Sequence, residues 1–179
     1  MYELALFMLD LAQNALTAGA SCVKIWLDED AARNRLTLTV ADNGCGMAPE
    51  TLVRALDPFM TSKVARRKKV GLGLPFFRQL VESCGGALAV KSRPSCGTVV
   101  CGWYPLDNVD QPPVGAWADT LLGLIQAHPH VRFYCARRRY GRCTAFDTRP
   151  VRAALGRDAD ALWQSAEMTA WFRKELAAL

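Results

Sequence analysis

The sequence predicts a mixed α/β layer fold. Three observations lead there. The N-terminus carries an apolar repeat at helical spacing. Two runs of alternating apolar and polar residues follow it. A second helix with two more alternating runs comes later. The chain has 179 residues, 51% hydrophobic and 22% charged, enough to bury a real core and unlike a disordered protein.

Leu4, Met8, Leu11, Ala15 and Leu16, with Phe7 beside them, predict a helix over about 2–18, stopped by Gly19. Residues 22–27 alternate and predict a strand. The segment DEDAARNR reads as a polar turn, and residues 36–41 as the return strand. Asp42-Asn43-Gly44 breaks the pattern. Pro49 suits the first turn of a short helix to about residue 56. Residues 57–70 read as a loop, and an apolar helix follows over 75–84, ended by Gly85-Gly86. Residues 87–91 and 98–104 read as strands joined by an RPSCG turn. The segment 110–115 is the best linker. A helix over 117–127, a hairpin turning at Tyr140-Gly141 and helical tail segments through Trp163 and Trp171 complete the chain. The division implied is 1–107 for the first unit and 108–179 for an extension of helix, basic hairpin and helical tail.

The net charge of +5 tolerates an anionic ligand without pointing to nucleic acid. Seven cysteines occur with no CxxC, which predicts neither a disulfide framework nor a zinc site. Free thiols suit a reducing compartment, so the expected location is cytoplasmic. The opening apolar run ends at Asp10 with no basic residue before it, so neither a signal peptide nor a membrane span is expected.

Three motifs carry chemistry. Asp10 and Asn14 stand four apart on the first helix, where a carboxylate and an amide oxygen can serve a metal-bound phosphate. Alone, that spacing also fits a polar stripe with Gln13 and Thr17. Asp42-Asn43-Gly44-Cys45-Gly46-Met47 follows a strand. Its glycines allow close backbone approach to a flat ligand, and its carboxylate can accept from an exocyclic amine. A plain tight turn uses the same residues. Gly71-Leu72-Gly73-Leu74 opens a helix, whose free N–H groups favour phosphate. Upstream lie Thr61, Ser62 and Lys63, then Arg66, Arg67, Lys68 and Lys69, a charge run that either faces solvent or forms a phosphate-facing lid.

In this order the motifs resemble the ATPase superfamily joining DNA gyrase, heat-shock ninety chaperones, histidine kinases and mismatch-repair proteins. LDLAQNALTAGA…VKIWLDED…LTLTVADNGCGM looks like a mismatch-repair opening, and DPFMTSK…VGLGLPFFRQLVESCGGALAVKSRPSCGTVV like the last boxes of a histidine kinase. The resemblance covers about 3–104, and a stand-alone histidine-kinase-like ATPase domain is the nearest likeness. It implies a two-layer α/β sandwich (the Bergerat ATP-binding fold) with a mixed sheet, plus a small α+β C-terminal extension. It implies ATP and Mg²⁺ as cofactors. Asn14 would hold Mg²⁺, Asp42 would read the adenine amine, and Gly44, Gly46 and Met47 would border the base. Thr98 would support the adenine site through Asp42 or water. Gly71, Leu72, Gly73 and Leu74 would cradle phosphates with Thr61, Ser62, Lys63 and the lid arginines, and Asp10 would be the catalytic carboxylate.

Two departures matter. Where the hydrolytic branches usually carry glutamate, Asp10 is one methylene shorter, which predicts slow hydrolysis. Only nine residues precede it, so the phosphoacceptor helices of a complete histidine kinase are not expected. His128 and His130, the only histidines, read as loop residues around Pro129. Three functions stay open: Mg-dependent phosphotransfer or slow hydrolysis under a partner protein's control, ATP sensing without significant catalysis, and a DNA-linked ATPase. Arg137, Arg138, Arg139 and Arg142 make the hairpin basic, as a partner or nucleic-acid surface or simply as a solvated one. Expected partners are ATP and a phosphoacceptor or regulatory protein, with no membrane and with nucleic acid disfavoured.

Overall fold

A computed structural model describes residues 3–57 and 73–179. Its centre is one six-stranded sheet in the order β3-β4-β2-β1-β5-β6. The strands are β1 (Cys22–Asp30), β2 (Arg35–Asp42), β3 (Ala87–Arg93), β4 (Gly97–Tyr104), β5 (Arg132–Arg139) and β6 (Arg142–Asp147). All neighbours are antiparallel except β1 and β5, which run parallel. The sheet is therefore mixed, and the strands after residue 107 extend it rather than form a sheet of their own.

The helices are α1 (Leu4–Thr17), α2 (Pro49–Ala55), α3 (Gly73–Ser83), α4 (Trp117–Ala127), α5 (Thr148–Leu155), α6 (Ala159–Leu162) and α7 (Ala166–Leu176). α1 lies on β1 and β2 between α3 and α4, and α7 packs on α4, so one sheet face carries a helical layer. Period-two alternation sets that face: Val23, Ile25 and Leu27 of β1 and Leu36, Leu38 and Val40 of β2 are buried. Leu4, Met8 and Leu11 meet them from α1, and Phe77 and Val81 from α3. In the tail, Trp163 packs edge-on against Phe172 at 5.0 Å and donates its indole N–H to Ile125 O at 2.9 Å. The opposite sheet face carries half-buried Trp26, 6.0 Å from Tyr134, and Arg35 over the Trp103 ring at 3.8 Å.

Two segments depart from the sequence reading. DEDAARNR is a turn only in its second half, because Asp28, Glu29 and Asp30 continue β1. Their charges are matched from β5. Arg137 donates to Glu29 at 2.5 and 2.9 Å, Arg138 forks onto Asp28 at 2.6 and 2.7 Å, and Arg139 reaches Glu29 at 3.1 Å. The hairpin arginines other than Arg142 thus neutralise β1 and do not form an open basic surface. The second segment is the linker, which works as a strap. Pro113 O and Val114 O accept the N–H groups of Leu4 and Ala5 at 2.9 and 3.0 Å. Those first-turn donors have no partner within the helix, and Glu3 gives α1 no side-chain cap.

Candidate functional site

α1, β2, the turn after β2, β4 and the start of α3 enclose a cavity of about 180 Å³. Asn14, Asp42, Gly46, Met47, Leu74 and Thr98 all line it. Asn14 is half-buried, and its side-chain amide has no hydrogen-bond partner among the described residues. The apolar walls come from Leu11, Ala15 and Ala18 on α1, Val40 on β2, Ala55 on α2 and Val100 on β4. The sequence reading did not name these as site residues. Their signal was periodic: Leu11, Ala15 and Ala18 share Asn14's helix face, and Val40 and Val100 stand two residues from Asp42 and Thr98.

Asp42 ends β2 and is half-buried. Its carboxylate accepts from Gly44 N–H at 2.8 Å and from Thr98 N–H. Burial pushes its carboxyl pKa up, and those two N–H groups pull part of the way back. Gly44 is buried behind the carboxylate and does not face the cavity. Asn43 is a staple: its Oδ1 accepts from Ser21 N–H and Cys22 N–H at 3.0 and 2.8 Å, locking the turn to the start of β1. Gly46 has φ +64°, and a Cβ there would lie only 1.9 Å from Arg93 O. Gly97, with φ +83°, backs onto Asp42 O in the same way. The turn and the β3–β4 hairpin therefore touch backbone to backbone. Ser92 fastens them, accepting from Met47 N–H at 2.8 Å and contacting Thr98 Oγ1 at 2.8 Å.

Asp10 sits elsewhere. Four residues turn a helix by about 40° beyond one full turn and advance it by about 6 Å. Asn14 consequently faces the cavity, while Asp10 lines the adjoining groove between α1 and α3, with Leu6, Phe76 and Leu80. It abuts Gly73, where a Cβ would fall 2.7 Å from Asp10 Cβ. Its side chain reaches solvent, yet partial burial raises its carboxyl pKa. Gly73 and Leu74 form the buried first turn of α3. Thr61, Ser62, Lys63, Gly71 and Leu72, with the basic run at 66–69, lie outside the described residues.

The family described as histidine kinase-, DNA gyrase B-, and HSP90-like ATPase matches residues 3–108, more than half of the chain. The chain belongs to that family. It is 33% identical over 100 residues to the sensor histidine kinase ZraS of Salmonella typhi, covering 55% of this chain and 21% of that one. It is 39% identical over 92 residues to the C4-dicarboxylate transport sensor protein DctB of Rhizobium meliloti, covering 49% of this chain and 14% of that one. These matches thus span a small part of each relative. Among solved structures, the N-terminal domain of a DNA repair protein superposes with a TM-score of 0.52 at 15% identity. That match covers 80% of this chain and 52% of the other, a likeness of fold. No helix among the described residues is long and apolar enough to cross a membrane.

Proposed function

We propose that this family member binds ATP with its base in the cavity beneath the DNGCGM turn, and that it carries out Mg-dependent phosphotransfer or slow hydrolysis under a partner protein's control. The observation that carries the reading is the cavity's polar end. A half-buried carboxylate, already holding two backbone N–H groups, stands beside a hydroxyl at the end of an apolar slot. A cavity of about 180 Å³ is below the size of pockets that enclose a whole drug-sized ligand. It suits a planar base, with the sugar and phosphates lying toward α3.

The residues present fit both groups. The unengaged Asn14 amide at the rim offers the oxygen donor that Mg²⁺ favours. The start of α3 brings a positive helix end to the cavity, which favours phosphate. Bound Mg·ATP supplies a transferable γ-phosphoryl group whose charge the metal offsets. On the catalytic reading Asp10, beside Gly73 and made more basic by burial, would orient or deprotonate the attacking hydroxyl or water.

ATP sensing without significant catalysis is the second reading. The position of Asp10 favours it, since this short carboxylate lies in the groove and not in the cavity wall. Asp10→Asn and Asp10→Glu separate the two. On the catalytic reading, Asp10→Asn keeps ATP affinity and loses turnover, while Asp10→Glu keeps affinity and raises hydrolysis. Turnover in Asp10→Asn equal to the parent's, measured with labelled ATP, would make Asp10 a polar face residue only, and no turnover in either would leave the sensing role.

A further inference from the structure

The segment after residue 107 builds a second cleft, of about 450 Å³, where the start of β1 meets α5 and the loop leading into β5. Ser21, His130, Arg132, Arg149 and Arg152 line it, and among the described residues no carboxylate does. Two of its guanidiniums are held by groups that do not line the cleft. Arg132 forks onto Asp147 through Nε and Nη2 at 3.0 and 2.5 Å. Arg152 donates from Nη1 to Pro129 O at 2.8 Å and from Nη2 to Asp160 at 2.6 Å. A guanidinium carries five N–H donors, so both keep some unspent. The Arg149 side chain makes no hydrogen bond or ion pair among the described residues. Ser21 Oγ accepts from Asn43 Nδ2 at 2.9 Å, and no described residue takes its own proton. The three arginines outnumber Asp147 and Asp160, so the cleft is positive as well as rich in donors.

We infer that this cleft is a binding site for a small phosphate-bearing anion, a phosphate monoester or a diphosphate. Guanidinium forks match phosphate oxygens and stay charged at any ordinary pH. A terminal phosphate presents three acceptor oxygens, one for each arginine, where a carboxylate presents two. Arg132 and Arg152 are already fixed by their other bonds, so they lose little freedom when an anion arrives. The cleft is larger than a bare ion needs. Val131, Ala153 and Gly156 give it a small uncharged wall, which suits the organic part of a monoester. It shares no residue with the cavity beneath the DNGCGM turn. Ser21 aside, it lies beyond the family-matched residues 3–108, so it stands independently of the ATP reading.

The test is an amide NMR titration of the isotope-labelled intact chain at fixed ionic strength. The probes are inorganic diphosphate, glycerol phosphate, succinate and a phosphoserine peptide. Diphosphate and glycerol phosphate should shift the signals of Ser21, Val131 and Arg149 saturably, and succinate should bind more weakly than either. Arg149→Gln should weaken diphosphate binding at these signals about tenfold, the scale of one hydrogen bond to a charged group. Arg142→Gln is the control, because Arg142 is exposed on the hairpin and does not line the cleft. It should leave binding unchanged. Absence of saturable shifts in the cleft overturns the inference, as do shifts confined to Gly73 and Leu74 at the other cavity. Equal losses in Arg149→Gln and Arg142→Gln overturn it by showing only general charge attraction. Succinate binding as tightly as the phosphates overturns the phosphate assignment. A phosphoserine peptide that binds tighter than both small phosphates overturns the small-molecule assignment in favour of a phosphorylated protein. If Arg149→Gln does not fold, the map of shifts in the parent decides by the same criteria.

Discussion

Replacing Asp42 with asparagine changes one oxygen into an NH2 group at the polar end of the cavity. The amide oxygen can keep the 2.8 Å bond from Gly44 N–H, so the turn retains one of its two ties to this side chain. What is lost is a charged acceptor facing the base, and a donor takes its place. A hydrogen bond to a charged group contributes roughly 1.5–3 kcal/mol. ATP affinity should fall by at least about 10- to 100-fold, since about 1.4 kcal/mol is tenfold. The pH dependence has a definite sign. Burial raises the Asp42 carboxyl pKa, and the ionised form is the stronger acceptor for an amine. ATP affinity of the parent should therefore weaken as pH falls through that raised value. Asp42→Asn should be flat over the same window, apart from the titration of ATP itself, which both proteins share. Stability runs the other way. A carboxyl with a raised folded-state pKa favours the fold at low pH and loses that contribution as pH rises through it. Neutralising Asp42 should then leave the melting temperature at neutral pH near the parent's. Calorimetric ATP titrations at several pH values, with melting curves of both proteins, make the test. Unchanged ATP affinity in folded Asp42→Asn would refute the assignment of the base site.

Asn14→Ala should weaken Mg·ATP binding more than binding of metal-free ATP, because it removes an oxygen donor at the cavity rim. Titrations with and without chelator would show it, and equal losses would make Asn14 a structural residue. Arg137→Met should lower stability by about 2 kcal/mol, since it removes both bonds onto Glu29 Oε1, whose side chain is 15% exposed, and leaves the carboxylate with Arg139 alone. That corresponds to a melting shift of roughly 4–8 °C. Adding Glu29→Leu should recover part of the loss, and no recovery would mean that the pair is not what Arg137 contributes.

What could be read from the sequence was what depends on near neighbours. Helical spacing located α1, and the helix expected over 117–127 is α4. Alternation located β1 and β2 up to the point where the charges begin. Asp28, Glu29 and Asp30 looked like a turn because the arginines that make them tolerable in a strand lie about a hundred residues away. The parallel pairing of β1 with β5 was hidden for the same reason. In the site, Asn14, Asp42, Gly46, Met47 and Leu74 were nominated from motifs and Thr98 from the family resemblance, and all border one cavity. Ser92 was passed over because its hydrogen bonds join a turn, a hairpin and a strand, and a lone serine in an alternating run carries no mark of that. Asp10 was grouped with Asn14 on one helix face, but the small rotation between them divides a cavity from a groove.

The strand order also bears on how the chain emerges from a ribosome. β1 is interior only because β5 pairs along its outer edge from Cys22 to Asp28. Until residues 132–139 have been made, that edge has free amide and carbonyl groups, beside a trio of carboxylates with no arginines to meet them. The first N–H groups of α1 likewise wait for the carbonyls of Pro113 and Val114. A nascent or truncated chain ending near residue 108 would hold the whole family-matched segment and still present an unpaired strand edge, the kind that recruits a neighbouring chain. Pairing of residues 132–139 along β1 is what closes that edge.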